Sequence, residues 1–527
     1  MSYLDNPATA DLEMMEYNIL KWGGNNTYTI KDGEDSTTVQ AAVTAMIASG
    51  KPGIIQLQQG DFDFHSEVLM DARMSGVWVR GMGDDTVIHH CGDFDGYCFK
   101  YYPPTFLGGN VPMHDVTYDD MQITFTTHSE AYRLKKGDYF SIIGTDDTGL
   151  QDMLVLIAAE DGDIRTGIVP IEWPIEKTMT SVTSGVTTMA RNSRANGYGN
   201  MRIVLDTETP TGPVTGALFM TSQNRSFIHD VSIDGFKYDN GTLTVATVTL
   251  WDCFYHTTER VHINGAGGTG LYYSTNLRST ISNCQVIGAA YQNSGSGIVM
   301  GTSFDNKVER TQIYNCKGDG ISFKTSGRRD KFFNNTISGV KGYGIDTLLA
   351  RQGNINSCTF TNINKGSGFQ AAIYVRSASQ LTNISKNDFE NCMYGVYNEG
   401  AHNVEISVNT FSNMKNTPIT TAANAESVTI TQNTIKNSNG INKAIHVSQT
   451  NNSNICLNTI DSDSAYGILV EDADKNNVSI NTIKGTTTAA LHFTSNAGDN
   501  LATGNIAIGQ NITNLGTSND LYNNKVA

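Results

Sequence analysis

The chain has 527 residues, with 36 Lys plus Arg against 52 Asp plus Glu and a formal net charge of −16. This acidic balance argues against nucleic acid as a partner, and an anionic polymer would need a local basic patch. No run of 18 apolar residues marks a membrane-spanning helix. The eight cysteines, at 91, 98, 253, 284, 316, 358, 392 and 456, form no CxxC or zinc spacing, so buried free thiols are expected and no cofactor is implied.

Residues 1–22 are acidic and Met-rich, with Leu12, Met14, Met15 and Ile19 at roughly helical spacing. A short helix docking on a partner and a plain N-terminal arm are both open. The opening Met1-Ser-Tyr-Leu-Asp5-Asn-Pro7 lacks the basic region and apolar run of a secretory signal.

Residues 23–129 read as a capping helix followed by the first β-coils. Ser36 is the expected N-cap, Val39, Val43, Met46 and Ile47 give helical periodicity, and Gly50 with Pro52-Gly53 stops the helix. Ile54 to Phe64 and Val77 to Ile88 then alternate as strands around Arg80-Gly81-Met82-Gly83-Asp84-Asp85-Thr86. This order of acidic-then-Thr helix, strand, Gly-rich turn and G-x-G-x-x-T step resembles the opening of the pectate-lyase-like superfamily of right-handed β-helices. Phage tailspikes, polysaccharide lyases and mannuronan-type epimerases share it. The resemblance covers about residues 30–90 and, in general form, the repeats further on. It implies a right-handed coil, a glycan partner and, for the tailspike branch, a homotrimer whose N-terminal arm meets a virion adaptor. The matching localisation is a virion tail released by host lysis, or a secreted protein.

Past the opening, His89-His90-Cys91-Gly92-Asp93-Phe94-Asp95 matches no metal-site spacing and reads as a loop with ordinary histidines. Residues 130–215 break the rhythm and are taken as a β-rich insertion that walls a groove. Met153–Ile157 and Ile164 to Ile171 flank Glu160-Asp161-Gly162-Asp163 as a hairpin would, and Arg191 to Gly199 reads as a mobile loop.

From about residue 225 a pattern of apolar-x-x-(small or Asn)-x-apolar returns every 22–30 residues. Its late Asn positions are 387, 409, 433, 458, 481 and 505. A fixed period of this length means stacked supersecondary units, here short β-stretches broken by Gly, Asn, Ser and Asp, and predicts a parallel β-helix over residues 216–510 with a closing segment at 511–527. Each Asn is expected to turn an inside corner in the left-handed conformation and to stack its amide on the next, about 4.8 Å away. Val231, Val261, Cys284, Thr311, Asn335 and Cys358 fill the same slot upstream. Asn433 should be such a corner, whereas Asn439-Gly440 reads as an exposed turn.

Each repeat has a second strand whose first residue is Leu271, Ile298, Ile321, Ile345, Ile373, Val396, Ile419, Ile445, Ile468 or Leu491. With these inside, period-2 alternation sends Tyr272, Asp346, Tyr374 and Tyr397 outward, with Lys324, Arg376 and Glu399 two residues beyond that row and Trp251 on the same face. Aromatic faces and convergent charges suit a carbohydrate groove; a solvated face with incidental pairs such as Asp346 beside Arg376 is the alternative. In the groove reading Asp346 and Glu399 are the catalytic carboxylates, and Lys324, Tyr374, Arg376, Tyr397, Tyr272 and Trp251 hold substrate. Two coils and two residues separate the carboxyls, roughly 9–12 Å, too far for a retaining glycosidase and near the upper edge for an inverting one. A lyase or C5-epimerase would instead draw on Lys324, Tyr374 and Arg376, and a third reading is an appendage that binds without chemistry. Glu259 and Glu309, each followed by Arg, form a second candidate patch with Asp252, His256 and Trp251, for which structural ion pairing is the competing explanation.

Overall fold

The computed structural model describes residues 26–71, 76–102, 110–146, 151–175, 177–184, 195–206, 214–221, 223–236, 246–289, 295–323, 327–348, 350–363, 370–377, 379–438 and 440–527. The arm at 1–22, Lys324, Asn439 and Arg191 to Arg194 lie outside them.

Short strands pair in parallel with the coil before and the coil after, which makes a right-handed β-helix. One sheet of fifteen strands runs from Val68–Asp71 to Ile512–Asn514, and the other long ladders stack as a sheet of thirty strands. Like sits on like along the core: Ile355 pairs with Ile384, Ile384 with Ile406 and Ile406 with Ile430. Phe360, Phe389 and Phe411 stack with nearly parallel rings at 5.1 and 4.6 Å between centroids. Every coil thus buries one slice of a continuous apolar core, so stability grows along the axis.

The first coil is covered by the helix Ser36–Ser49, which buries Val39, Ala42, Val43 and Met46. Its N-cap is Asp35 rather than Ser36. The Asp35 carboxylate accepts from the Thr37 and Thr38 backbone N–H groups at 3.0 and 3.1 Å, leaving Ser36 buried against Ser66. Gly50 ends the helix at φ 63° as expected.

The asparagine ladder forms, with its strained residue one place earlier than expected. Lys386, Val408, Gln432, Leu457 and Ile480 take positive φ, not the Asn that follows each. That left-handed residue turns the chain and points to water, while the Asn side chain swings inward. Each Oδ1 accepts from the backbone N–H and the Nδ2 of the Asn one coil earlier: Asn409 serves Asn387 at 2.9 and 3.0 Å, and Asn433 serves Asn409 at 3.0 and 3.0 Å. The second Nδ2 proton goes to a backbone carbonyl, as from Asn433 to Ile406 at 2.8 Å. A fully buried amide is therefore satisfied on both donors and its acceptor. A second ladder, Asn476–Asn500–Asn519, runs down another corner.

Met113 to Val182 build a separate apolar core around Phe125, Phe140, Leu156 and Val169. The expected hairpin is not formed in that way. Gln151–Ile157 pairs with Tyr139–Asp146, and Ile168–Pro170 pairs with Gln122–Thr124, leaving only the Ala158–Ile171 bridge between the two predicted arms. Gly197 to Gly199 are not loop but the start of the strand Gly197–Leu205, which returns to the solenoid beside Val77–Arg80 and Thr86–His90. The closing segment carries strand at Ile512–Asn514, Asp520–Tyr522 and Lys525–Val526. All eight cysteines are free thiols, six of them buried.

Candidate functional site

Alternation along the second strand of each coil decides what the fifteen-stranded sheet presents. Ile345, Ile373, Val375 and Val396 face the core, so Asp346, Tyr374 and Tyr397 face away from it. Parallel pairing then aligns those outward residues into one row. Thr249 meets Tyr272, Tyr272 meets Val299, Val299 meets Ser322, and Ser322 meets Asp346. Asp346 meets Tyr374, Tyr374 meets Tyr397, and the row runs on through Thr420 and His446. Two residues along, Arg376 pairs with Glu399, and Trp251 with Ser274.

The middle of this row is one bonded assembly. Arg376 donates from Nε and NH2 to the two oxygens of Asp346, both at 2.7 Å, a bidentate pair. The Tyr374 hydroxyl donates to Glu399 Oε2. The Tyr374 ring stacks on Tyr343 at 4.5 Å, lies 5.8 Å from Tyr397, and carries the Arg376 guanidinium 5.0 Å above its centroid. Tyr394 meets Tyr397 edge-on at 5.9 Å. Asp346 and Tyr374 are buried although they point outward, because these neighbours cover them.

Electrostatics follow from that packing. Burial, reinforced by the Glu399 hydrogen bond and charge, pushes the Tyr374 phenol well above its ordinary value, so it stays a donor and not a base at neutral pH. Burial also raises Tyr343 and Tyr397. The hydrogen bonds to Asp346 make Arg376 hold its proton harder than a free guanidinium does.

Tyr272 and Trp251 sit further up the same face as a second aromatic group. Trp251 is 45% exposed, the large fraction needed for a ring to meet a ligand, and lies edge-on to Phe219 at 5.7 Å and Tyr272 at 6.5 Å. Below the Tyr397 coil the row continues to His446, where a further polar group gathers. The Glu471 carboxylate lies 2.8 Å from His446 Nε2, whose N–H it can accept, Lys443 Nζ stands 3.2 Å from the same nitrogen, and Tyr466 packs on His492 at 5.2 Å. Ser448 and Glu471 pair two residues beyond the row, where the same alternation extended by one coil finds Glu471, whereas Lys443 and Tyr466, paired three residues before it, fall outside that pattern.

Glu259 and Glu309 lie on the thirty-stranded sheet, two coils apart with Ser282 between. Both are buried and ion-paired, Glu259 with Arg260 at 2.8 Å and Glu309 with Lys307 at 2.7 Å and Arg310 at 3.0 Å. The patch is not assembled as expected. His256 points into the core between Ser226 and Thr258, where burial pushes it down to about 3, and Trp251 belongs to the other sheet.

A cleft of about 360 Å³ opens between the insertion and a corner of the coils. Lys177, Arg328, Arg329 and Arg351 line it beside Tyr118 and Leu381. Asp146, buried at its base, accepts from Lys177 at 2.8 Å and Arg351 at 3.0 Å and ties the insertion to the solenoid. This is a local basic patch on an acidic chain.

Residues 246–372 match the family model described as right handed beta helix region, and residues 367–526 match the model for the periplasmic copper-binding protein NosD. Comparison with curated proteins finds no match. Among solved structures, the tailspike of Pseudomonas phage phi297 is similar at 11% identity and TM-score 0.48, covering 91% of this chain and 72% of its own. The tailspike of Pseudomonas phage LKA1 aligns at 13% identity and TM-score 0.46, over 85% and 76%. An α-1,3-glucanase from Streptomyces thermodiastaticus aligns at 11% and 0.42, over 95% and 69%.

Proposed function

We propose that the protein binds a bacterial surface polysaccharide along the outward row of its fifteen-stranded sheet and hydrolyses it with Asp346 and Glu399. The observation that carries the reading is the run of Tyr343, Tyr374, Tyr397 and Tyr394 rings directly beside the Asp346–Arg376 pair and Glu399. Rings offer faces on which the apolar side of a sugar rests, and the charged groups offer fixed hydrogen bonds to its hydroxyls. Asp346, clamped by Arg376, serves as the carboxylate that activates water. Glu399, bonded to the Tyr374 hydroxyl, is the group placed to donate a proton to the leaving oxygen. The raised Tyr374 phenol counts against Tyr374 as the proton-abstracting base of the lyase reading, which also draws on Lys324 and Arg376. Tyr272 extends the row by four coil steps beyond Tyr374, about 19 Å, and Trp251 by one more, enough for an oligosaccharide to lie along the axis. In its setting the protein acts as a homotrimeric, tailspike-like appendage, with residues 1–22 meeting a virion adaptor.

Incubation with purified capsular or O-antigen polysaccharides, followed by chain length and new reducing ends, tests this. Shortened polymer with saturated ends supports hydrolysis. Products that absorb in the near ultraviolet carry a double bond and would move the assignment to a lyase. Retention of polymer without shortening would leave an adhesin.

A further inference from the structure

Three consecutive coils near the N-terminal helix place unusual side chains in one column. Phe64 pairs with His90 and His90 with Leu205, so the residues that follow them, His65, Cys91 and Asp206, fall in line. Asp63, two residues before His65 and on the same side of its strand, joins them. Ligand atoms of Asp63, Cys91 and Asp206 all lie within 4.8 Å of one another. His65 is not one of those three; its Nε2 stands 3.8 Å from Cys91 Sγ and would have to turn toward the carboxylates to complete the set.

That last distance suits two ligands of one ion. Zinc–sulfur and zinc–nitrogen bonds of about 2.3 and about 2.0 Å, set at the tetrahedral angle, separate the two donor atoms by about 3.6 Å. The outer contacts have the matching form. His65 Nδ1 is held by Asp93 at 2.7 Å, which leaves Nε2 as the nitrogen turned toward the thiol, and Asp206 is held through His89 Nδ1 at 2.6 Å. His89 is fixed in turn by Asp61 at 2.8 Å. A carboxylate on the far nitrogen of a ligating imidazole is the usual second layer of a metal site.

We propose that this column binds a divalent transition metal of the zinc type through Cys91 Sγ, His65 Nε2, Asp63 and Asp206. A thiolate, an imidazole and two carboxylates form a four-donor set that suits zinc. The local charge agrees: Asp61, Asp63, Asp93 and Asp206 crowd a patch whose ion partners are His65 and His89. Bound there, the ion fastens three successive coils at the end the helix caps.

Cobalt(II) titrated into the chelator-stripped, full-length protein tests the site. The expected result is a near-ultraviolet thiolate charge-transfer band with intense visible absorption, saturating at one ion per chain and reversed by zinc. Cys91→Ser should abolish the charge-transfer band, and His65→Ala and Asp63→Asn should each lower cobalt and zinc affinity. Asp93→Asn, which leaves all four ligands in place, should lower zinc affinity roughly 10–100-fold. Cys456→Ser, which changes the other half-buried thiol, should leave the band intact. Absence of the band, its persistence in Cys91→Ser, or its loss in Cys456→Ser overturns the proposal. If Cys91→Ser does not fold, unchanged affinity in both His65→Ala and Asp63→Asn, whose side chains are exposed, overturns it equally.

Discussion

Arg376 and Asp346, one coil apart, face each other through two parallel hydrogen bonds of 2.7 Å, outside the core, with the Asp346 carboxylate shielded from water and Arg376 half-exposed above it. A charge pair in that position is not a surface accident, because breaking it strands a shielded ion. Asp346→Asn and Glu399→Gln should each lower polymer cleavage by roughly 100-fold or more if the two act as base and acid. Polymer binding by the same variants should persist, as an amide keeps the shape. Initial rates of reducing-end formation, beside a binding isotherm, check both halves. Full activity in both variants would remove this row as the catalytic centre.

Tyr374 separates stacking from hydrogen bonding. Tyr374→Phe keeps the ring on Tyr343 and deletes the bond to Glu399, whereas Tyr374→Ala deletes both. Tyr374→Ala should weaken oligosaccharide binding by about 1 kcal/mol, roughly fivefold in Kd. Tyr374→Phe should leave Kd within about twofold and change the cleavage rate instead. Calorimetric titration of both variants, with the rate assay alongside, distinguishes the two contributions.

The ladder predicts a difference between two asparagines of one region. Asn433 is buried with every amide group bonded, and Asn442 is exposed. Asn433→Ala should cost about 1–3 kcal/mol and Asn442→Ala less than about 0.5 kcal/mol. Equal melting temperatures for the two would contradict the register.

Asp330 gives a pH dependence. It is fully buried in a corner slot, accepting from Ser303 Oγ at 2.6 Å and the Asn306 N–H at 2.9 Å, and burial raises its carboxyl to about 7. An acid held protonated by the fold stabilises fully below its unfolded value near 4, and that contribution is lost as pH rises through the folded value. Stability should therefore fall between about pH 4 and about pH 7 by up to about 1.4 kcal/mol per unit from this group. Asp330→Asn, whose amide can still accept from Asn306 and donate to Ser303, should remove that slope and raise Tm at neutral pH. Denaturant melts at three pH values check the sign.

Assembly is tested by light scattering at micromolar concentration, where a particle of three chain masses is expected. A single chain mass would reject the closed trimer and with it the tailspike-like assembly.

The row through Tyr272, Asp346, Tyr374 and Tyr397 was legible in the sequence because two periods reinforce each other. Alternation of two fixes the face of each strand, and the repeat fixes which residues stack. The corner was half legible. Asn387 and its successors are visible as a column, yet a repeat of one residue type does not say which neighbour bears the positive φ, and it is Val408 or Leu457 that does. Hairpin partners in the insertion were not legible, since Met153–Ile157 is apolar enough to pair with any strand nearby and Tyr139–Asp146 is the one the chain returns beside. The His65, Cys91 and Asp206 column was hidden for another reason. Its members are unevenly spaced, 26 residues from His65 to Cys91, with the whole insertion between Cys91 and Asp206.

The asparagine ladder also makes each coil a replaceable part. Every Asn presents the same acceptor upward and the same donors downward, so Asn409 could join Asn458 as well as it joins Asn433. Excising the 25 residues from Thr434 through Asn458 would bring Asn481 beneath Asn433, with Ile460 in the place of Ile435 above Ile483 and the outward row closed over the gap. Loss of one residue has the opposite effect, because it sets a different side chain in the amide slot and turns the strand inside out. Lineages of such a chain are thus free to lengthen or shorten by whole turns, and changes of reach along a polymer can arise in single genetic steps that leave every surviving contact as it was.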